Sequence, residues 1–259
     1  MKQISLQMYT LREFMKTPAD FENTLARVAE MGYRHVQITP PPFHTGESLA
    51  KSLAAHGLAA DSAICTVYRI PEKMEEIVRD AAALGTDVLR TDSIREADRG
   101  SEEGYHAFAR HLNTCGKLLA DRGLLLMYHF HAFEFVRFAD GRRGIDILLS
   151  ETDPATVFFQ PDVFWLTAAG TEASRSLTLF RGRAKYIHLK DYVILPGAER
   201  LEETHPASAP VGSGNLCWSE IFRTADEMGI ANFVAEDDMG QGDPFASAAE
   251  SYRFLSAHR

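Results

Sequence analysis

The stretch Gly123-Leu124-Leu125-Leu126-Met127-Tyr128-His129-Phe130-His131-Ala132-Phe133-Glu134-Phe135 is an apolar run that ends in two histidines and a carboxylate. Its first half reads as a buried strand. Successive side chains of a strand point to opposite faces, so His129 and His131 share one face. Two imidazoles at the end of a hydrophobic strand are either hydrogen-bonded core groups or part of a site. What other strands carry to the same end decides between the two.

Working outward, strand-like and helix-like segments alternate along the whole chain. Before the opening stretch, strands are expected at residues 4–10, 35–39, 58–65 and 87–92. Helices between them are expected at 18–31, 47–56, 71–84 and 104–122. Gly32, Gly57, Gly85 and Gly123 serve as helix stops. In the first helix Phe21, Leu25, Val28 and Ala29 recur at helical spacing, and Pro40-Pro41-Pro42 ends the second strand because proline cannot continue a ladder. After the stretch, strands are expected at 157–162, 184–189 and 232–236, with helices at 143–151, 172–180, 218–228 and 244–257. Residues 192–215, rich in Pro, Gly and Ala, read as a long loop too polar to pack as an element. Eight strands alternating with eight helices in about 250 residues is the count for an α/β fold of the (β/α)₈ barrel type, here one domain over residues 1–259. A doubly wound open sheet fits less well, since no glycine-rich fingerprint follows the first strand.

Composition narrows the function. The 259 residues carry a formal net charge of −9, with 45% hydrophobic and 24% charged residues. That acidity, without a dense Lys/Arg stretch, argues against nucleic-acid or anionic-membrane partners. No apolar run approaches membrane-spanning length, and no export-type leader precedes the first strand, so a cytoplasmic protein is expected. Cys65, Cys115 and Cys217 show no metal-type spacing and read as reduced packing thiols.

In such a barrel the chemistry sits at the C-terminal ends of the strands. Strand one brings Gln7, Tyr9 and then Arg12; strand two Gln37; strand four Arg90 and Asp92. Strand five brings His129, His131 and Glu134, and strand six Asp162 and then Trp165. His188 and Lys190 share a face on strand seven, and strand eight ends in Glu236. Imidazole, carboxylate, imidazole and carboxylate thus arrive from four consecutive strands. Mixed ligation of this kind suits one divalent metal ion, Mn²⁺, Zn²⁺, Co²⁺ or Mg²⁺. The alternative is a wet pocket lined by separately satisfied polar groups.

Several motifs in order carry a resemblance. They are Gln7-Met8-Tyr9-Thr10-Leu11-Arg12, the Tyr128–Phe135 stretch, Pro161-Asp162-Val163-Phe164-Trp165, His188-Leu189-Lys190-Asp191, Pro210-Val211-Gly212-Ser213-Gly214 and Val234-Ala235-Glu236-Asp237-Asp238. With these the chain resembles the xylose isomerase-like TIM barrel superfamily, in its sugar phosphate isomerase/epimerase branch, along nearly its whole length. The resemblance implies a divalent metal held by Glu, Asp, His and Glu on strands five to eight. Asp162, His188 and Glu236 match the last three places, and His129 stands where the first carboxylate is usual. Gln37 and Ser213 also stand where relatives often carry Glu.

The resemblance therefore implies an isomerase or epimerase acting on a sugar, keto-sugar or polyol. The reaction takes a proton next to a carbonyl held by the metal, with His129, His131 or Glu236 as acid/base. Lys190 would polarise a substrate oxygen. Gln7, Tyr9, Arg12 and Trp165 would line the sugar site, although Trp165 and Tyr9 are equally well read as packing residues. Glu134 would join the substrate-binding group or hydrogen-bond an imidazole. A lyase or dehydratase acting on a keto-inositol or a 3-keto-glycoside uses the same proton abstraction. A catalytically silent sugar-binding barrel is the reading from another class, and a repair endonuclease is disfavoured by the charge. The loop at 192–215 reads as a lid or a contact in a homo-oligomer, with Glu199, Arg200, Glu202, Glu203 and His205 forming a solvated face.

Overall fold

The computed structural model describes residues 2–197, 205–240 and 242–258. Its strands in chain order are β1 (Gln3–Gln7), β2 (His35–Gln37), β3 (Ala59–Ile64), β4 (Val88–Asp92), β5 (Leu125–His129), β6 (Val157–Gln160), β7 (Tyr186–Leu189), β8 (Asp191–Leu195), β9 (His205–Ala209) and β10 (Asn232–Ala235). All but β8 and β9 form one parallel sheet in the order β6-β5-β4-β3-β2-β1-β10-β7. The two ends of that order meet through isolated parallel bridges, Phe159 with Ala184 and Asp162 with His188. The sheet is a nearly closed (β/α)₈ barrel, as the alternation of segments predicts.

The helices are α1 (Pro18–Glu30), α2 (Gly46–Ala55), α3 (Ile70–Leu84), α4 (Glu102–Ala120), α5 (Gly144–Glu151), α6 (Val163–Ala168), α7 (Ala173–Leu177), α8 (Trp218–Glu227) and α9 (Pro244–Ser256). α1 shows how the sequence builds them. The Thr17 side chain accepts from Asp20 N, Pro18 occupies the first turn where no N–H is needed, and Phe21, Leu25 and Val28 bury the inner face. Each of those three side chains contributes about 1.5–3 kcal/mol by leaving water. No helix of the described residues is long and apolar enough to cross a membrane.

Three expectations need correction. The first strand stops at Gln7, because the Gln7 Oε1 accepts from Tyr9 N and turns the chain into a short 3₁₀ segment, Met8–Phe14. Residues 163–168 form a helix, capped by Asp162, where none is expected from periodicity. The expected loop at 192–215 contains the antiparallel hairpin β8–β9, paired from Asp191 with Ala209 to Leu195 with His205. Of the charged face expected there, His205 is exposed, while Glu199, Arg200, Glu202 and Glu203 lie outside the described residues.

Asp191 anchors the foot of that hairpin. Its buried carboxylate accepts from the backbone N–H groups of Tyr192, Gly212, Gly214 and Leu216 and from the Trp218 indole. Ser213, flanked by those glycines, faces outward and bonds to Glu250, so the place where relatives often carry Glu makes its contact at the surface here.

Gly32 lies at φ +108°, and a Cβ there would run into the Tyr252 ring, whereas Gly57 at φ +68° faces open space. Gly32→Ala is therefore expected to lower unfolding stability by about 2 kcal/mol through strain plus overpacking. Gly57→Ala carries the backbone penalty alone, about 1 kcal/mol. Urea midpoints of the two variants check the ranking, and equal losses would contradict it.

Candidate active site

The strand ends bring the expected residues to one end of the barrel. His129 closes β5, Asp162 lies just past β6, His188 is within β7, and Glu236 follows β10. One donor atom from each of His129, Asp162 and His188 lies within 4.8 Å of the others, and all three side chains are buried. The bridge between Asp162 and His188 explains their closeness, since His188 N donates to Pro161 O at 2.8 Å.

Hydrogen bonding fixes what each donor presents. The Gln37 amide oxygen accepts from His188 Nε2 at 2.7 Å and from Gln7 Nε2 at 3.2 Å. The His188 proton is thus assigned to Nε2, which leaves Nδ1 as a lone pair. That lone pair faces Glu236 Oε2 at 3.3 Å and Asp162 Oδ2 at 3.7 Å. The other Asp162 oxygen caps α6 by accepting from Trp165 N at 3.1 Å. His188 Nδ1 and Asp162 Oδ2 are both buried without a hydrogen-bond partner. For His129, a proton on Nδ1 serves Gln160 O at 3.4 Å and leaves Nε2 bare.

Buried acceptors that face one another need either a proton or a cation between them. A proton on His188 would serve Glu236 but would leave His129 bare. A divalent ion uses all three donors at once, and two imidazoles with a carboxylate suit Mn²⁺, Co²⁺ or Zn²⁺. The residues present fit such an ion, with Glu236 as the neighbouring carboxylate.

For His129 the electrostatics agree, whereas at His188 the ion would have to displace a proton that the neighbouring carboxylates favour. Burial, reinforced by His188 and Arg90, pushes His129 well below the usual histidine range and keeps it neutral, as a ligand must be. Burial opposes charge on His188, but Glu236 and Asp162 outweigh it and raise its pKa. Lys190 is fully buried, its Nζ at 2.7 Å from Asp238, 3.0 Å from Glu236 and 3.8 Å from Asp162. Burial works against that ammonium, yet Glu236, Asp162 and Asp238 hold it protonated above the ordinary lysine value. Glu236 responds in kind: burial alone would raise it, but Lys190 and His188 keep it well below the carboxylate range. Lys190 is a fixed positive charge, unsuited to be a base.

Above this cluster lies a cavity of about 390 Å³. Of the residues expected at the site, Gln7, Tyr9, His131, Trp165, Lys190 and Glu236 line it together with His129. His131 is half-buried, with its ring centroid 4.8 Å from that of His129 and 5.3 Å from that of Trp165. Its Nδ1 is buried and unpartnered. Burial lowers its pKa to about 4, with Asp162 and Asp92 pulling the other way, so the imidazole is neutral. Arg12 does not line the cavity; it stacks on the Tyr9 ring and donates to Asp238 O at 3.2 Å, bracing the rim.

Arg90 and Asp92 line the cavity from the end of β4, where strand phase places them. Thr39, two residues past Gln37 on the phase of the expected second strand, also lines it, as do Ser93 and Asp238 from positions beyond the expected strands. Ser93 alone among the described non-glycine residues has a positive φ, +62°. Strain of that kind collects at functional sites and is a structural signal rather than a sequence one.

Glu134 corrects an expectation. It was placed with the substrate-binding residues, but it is fully buried, outside the cavity lining, accepting from Tyr128 OH and from the His131 backbone N–H rather than from an imidazole. It holds the turn that presents His131.

Burial raises the Glu134 pKa from 4.5 to about 8 despite those hydrogen bonds. The unfolded chain then gives up this proton at lower pH than the folded one, so stability contributed by Glu134 falls as pH rises from about 4.5 to about 8. Glu134→Gln is expected to flatten that part of the stability profile. Chemical denaturation at pH 5 and pH 8 measures it, and an unchanged slope would count against the assignment.

A family model described as xylose isomerase-like TIM barrel matches residues 25–258. Inosose dehydratase of Geobacillus thermodenitrificans is 23% identical over 266 residues, covering 91% of this chain and 88% of its own. Inosose dehydratase of Clostridium beijerinckii is 28% identical over 171 residues, 60% of this chain, and the match spans only 55% of that relative. A sugar phosphate isomerase/epimerase structure from Parabacteroides distasonis superposes with a TM-score of 0.82, covering 99% of this chain and 94% of that one at 22% identity, a likeness of fold. With the barrel closed and its match running over most of the sequence, the chain belongs to the xylose isomerase-like TIM barrel family.

Proposed function

We propose that the protein is a divalent-metal-dependent lyase that removes water from a keto-polyol or keto-sugar of the inosose kind. The observation that carries this reading is His131, a neutral imidazole that lines the cavity and stands outside the cluster of candidate metal ligands. Relatives named inosose dehydratase, one of them aligned along most of both chains, support the same reaction class. An ion held by His129, Asp162 and His188 beside Glu236 would supply Lewis-acid polarisation of the substrate carbonyl, making the adjacent C–H acidic.

The chain's own residues supply the rest. His131 takes the proton from the carbon next to the carbonyl. The C–H electrons form a C=C bond, and the β C–O bond breaks. The new imidazolium then returns the proton to the departing hydroxyl, so that water leaves and His131 is neutral again. A pKa of about 4 makes His131 a modest base but its conjugate acid a strong donor, which suits a poor leaving group. Lys190, held protonated, binds a substrate oxygen as a fixed charge. Trp165, edge-on to His131, holds that ring in place, and Tyr9, 55% exposed, forms a wall for a sugar face.

Of the isomerase and epimerase readings drawn from the sequence, the epimerase one needs a second proton carrier on the opposite face. Glu236 is the candidate for it, and its carboxylate is engaged by Lys190 and His188. Elimination needs no such partner.

Two measurements test the proposal. Mn²⁺, Co²⁺ or Zn²⁺ at one hundred times its Kd should stabilise the protein by about 2.7 kcal/mol, read as a rise in Tm. Asp162→Asn and His188→Ala should abolish that rise, and a wild-type protein indifferent to all three ions would sink the metal site. Incubation with an inosose should give a product lighter by one water in mass spectrometry, and His131→Gln should lower kcat/KM by about 10²- to 10⁴-fold. A product of unchanged mass with an inverted centre or a moved carbonyl would replace the lyase by the isomerase.

A further inference from the structure

We propose that the substrate carries a flat apolar group in addition to its polyhydroxylated ring, and that this group binds in a second cavity adjoining the first. The idea rests on the reading of the first cavity as a sugar site. The second cavity is the larger, about 1030 Å³ against about 390 Å³, and the two share Thr39 and Asp92 in their linings. It runs from the strand ends of β2 and β3 outward to α2 and α3. A compact six-carbon ring is accommodated by the first cavity and leaves the second unused. Volumes of several hundred Å³ are the size of binding pockets, so a cleft of this extent sharing a wall with the site calls for an occupant.

The lining says what kind. Pro40, Pro41 and Pro42 form one wall, which offers rigid ring carbons and no N–H donors. Ile64 and Ile77 supply further apolar surface. The carboxylates in the lining are already engaged: Glu47 by Lys51, Glu76 by Lys73, Asp80 by Gly46 N and Asp92 by Arg90. These four carboxylates outnumber the cations Arg69, Lys73 and Arg79 by one, so the lining has no positive excess that would select an anion. No Phe, Tyr or Trp is among its lining residues, and the one ring there, His44, is packed against Phe21 and Phe43, so the broad platform a second sugar ring would stack on is missing. The Arg69 guanidinium makes no hydrogen bond or ion pair among the described residues, its backbone N–H alone donating to Thr66 O, and a guanidinium plane stacks well on aromatic faces. Prolines on one side and a free guanidinium on the rim suit a planar aromatic group.

Calorimetry with methyl β-D-glucopyranoside and phenyl β-D-glucopyranoside tests this on the intact, Mn²⁺-loaded protein without any turnover. The phenyl glycoside should bind at least tenfold more tightly than the methyl one. Ala83→Trp fills the cleft from an exposed position on α3 and does not touch the first cavity; it should erase the phenyl advantage and leave methyl binding unchanged. Arg69→Ala, also at an exposed position, should cut the advantage at least threefold. Equal affinities for the two glycosides, or a phenyl advantage that survives Ala83→Trp in a variant with an unaltered Tm, overturn the proposal while the sugar site stands. Absence of binding by both glycosides overturns the sugar site and the proposal together.

Discussion

Between β6 and β7 the barrel is held by two isolated bridges, and one of them joins Asp162 to His188. The contact that closes the sheet is therefore the contact that sets two of the three candidate ligands side by side. Because β6 ends at Gln160 and Pro161 has no N–H to give, the ladder cannot run further on that strand, and Asp162 is released to cap α6 with one oxygen while the other stays bare. Fold closure and site assembly are the same event here. A metal ion at that seam would add a cross-strand tie where backbone pairing is thinnest.

Charge balance explains the departure at strand five. Asp162, Glu236 and Asp238 surround a single ammonium, Lys190. A divalent ion would bring three negative and three positive charges together, a neutral set in a buried place. A glutamate at position 129 would leave one negative charge over, whereas His129 donates a lone pair without one. The substitution keeps the ligand and removes the desolvation cost of another buried anion. Gln37 acts in the same sense on the other side: it fixes the His188 tautomer through a neutral amide where a carboxylate would have pulled a proton onto the ring.

The barrel and most of the site were legible in the sequence because both follow strand phase. His129, His188 and Arg90 sit on strands whose two-residue period predicts their face, and glycine stops separate the elements cleanly. What escaped lies where phase gives out. The hairpin β8–β9 was hidden because its second strand, His205-Pro206-Ala207-Ser208-Ala209, is small and polar and makes sense only opposite Asp191–Leu195. Ser93 and Asp238 enter the cavity from beyond the strand ends, Ser93 through a left-handed backbone angle that no sequence period reports. Glu134 was misread for a related reason. Three residues past a strand end the chain has already turned, and the carboxylate points back under the histidine loop to Tyr128 instead of forward into the cavity.

Asp191 gathers five donors onto one carboxylate directly after Lys190 in the chain. Both described arms of the hairpin, Asp191–Leu195 and His205–Ala209, meet at that knot. β9 is tied inward, its Ser208 bonded to Met239 and to Asp237, which follows Glu236, while β8 carries the exposed Ile194 on the far side of the knot from the lysine. Such an arrangement insulates Lys190 from changes of surface character at Ile194, while any change at Ser208 is passed directly to the loop that follows Glu236.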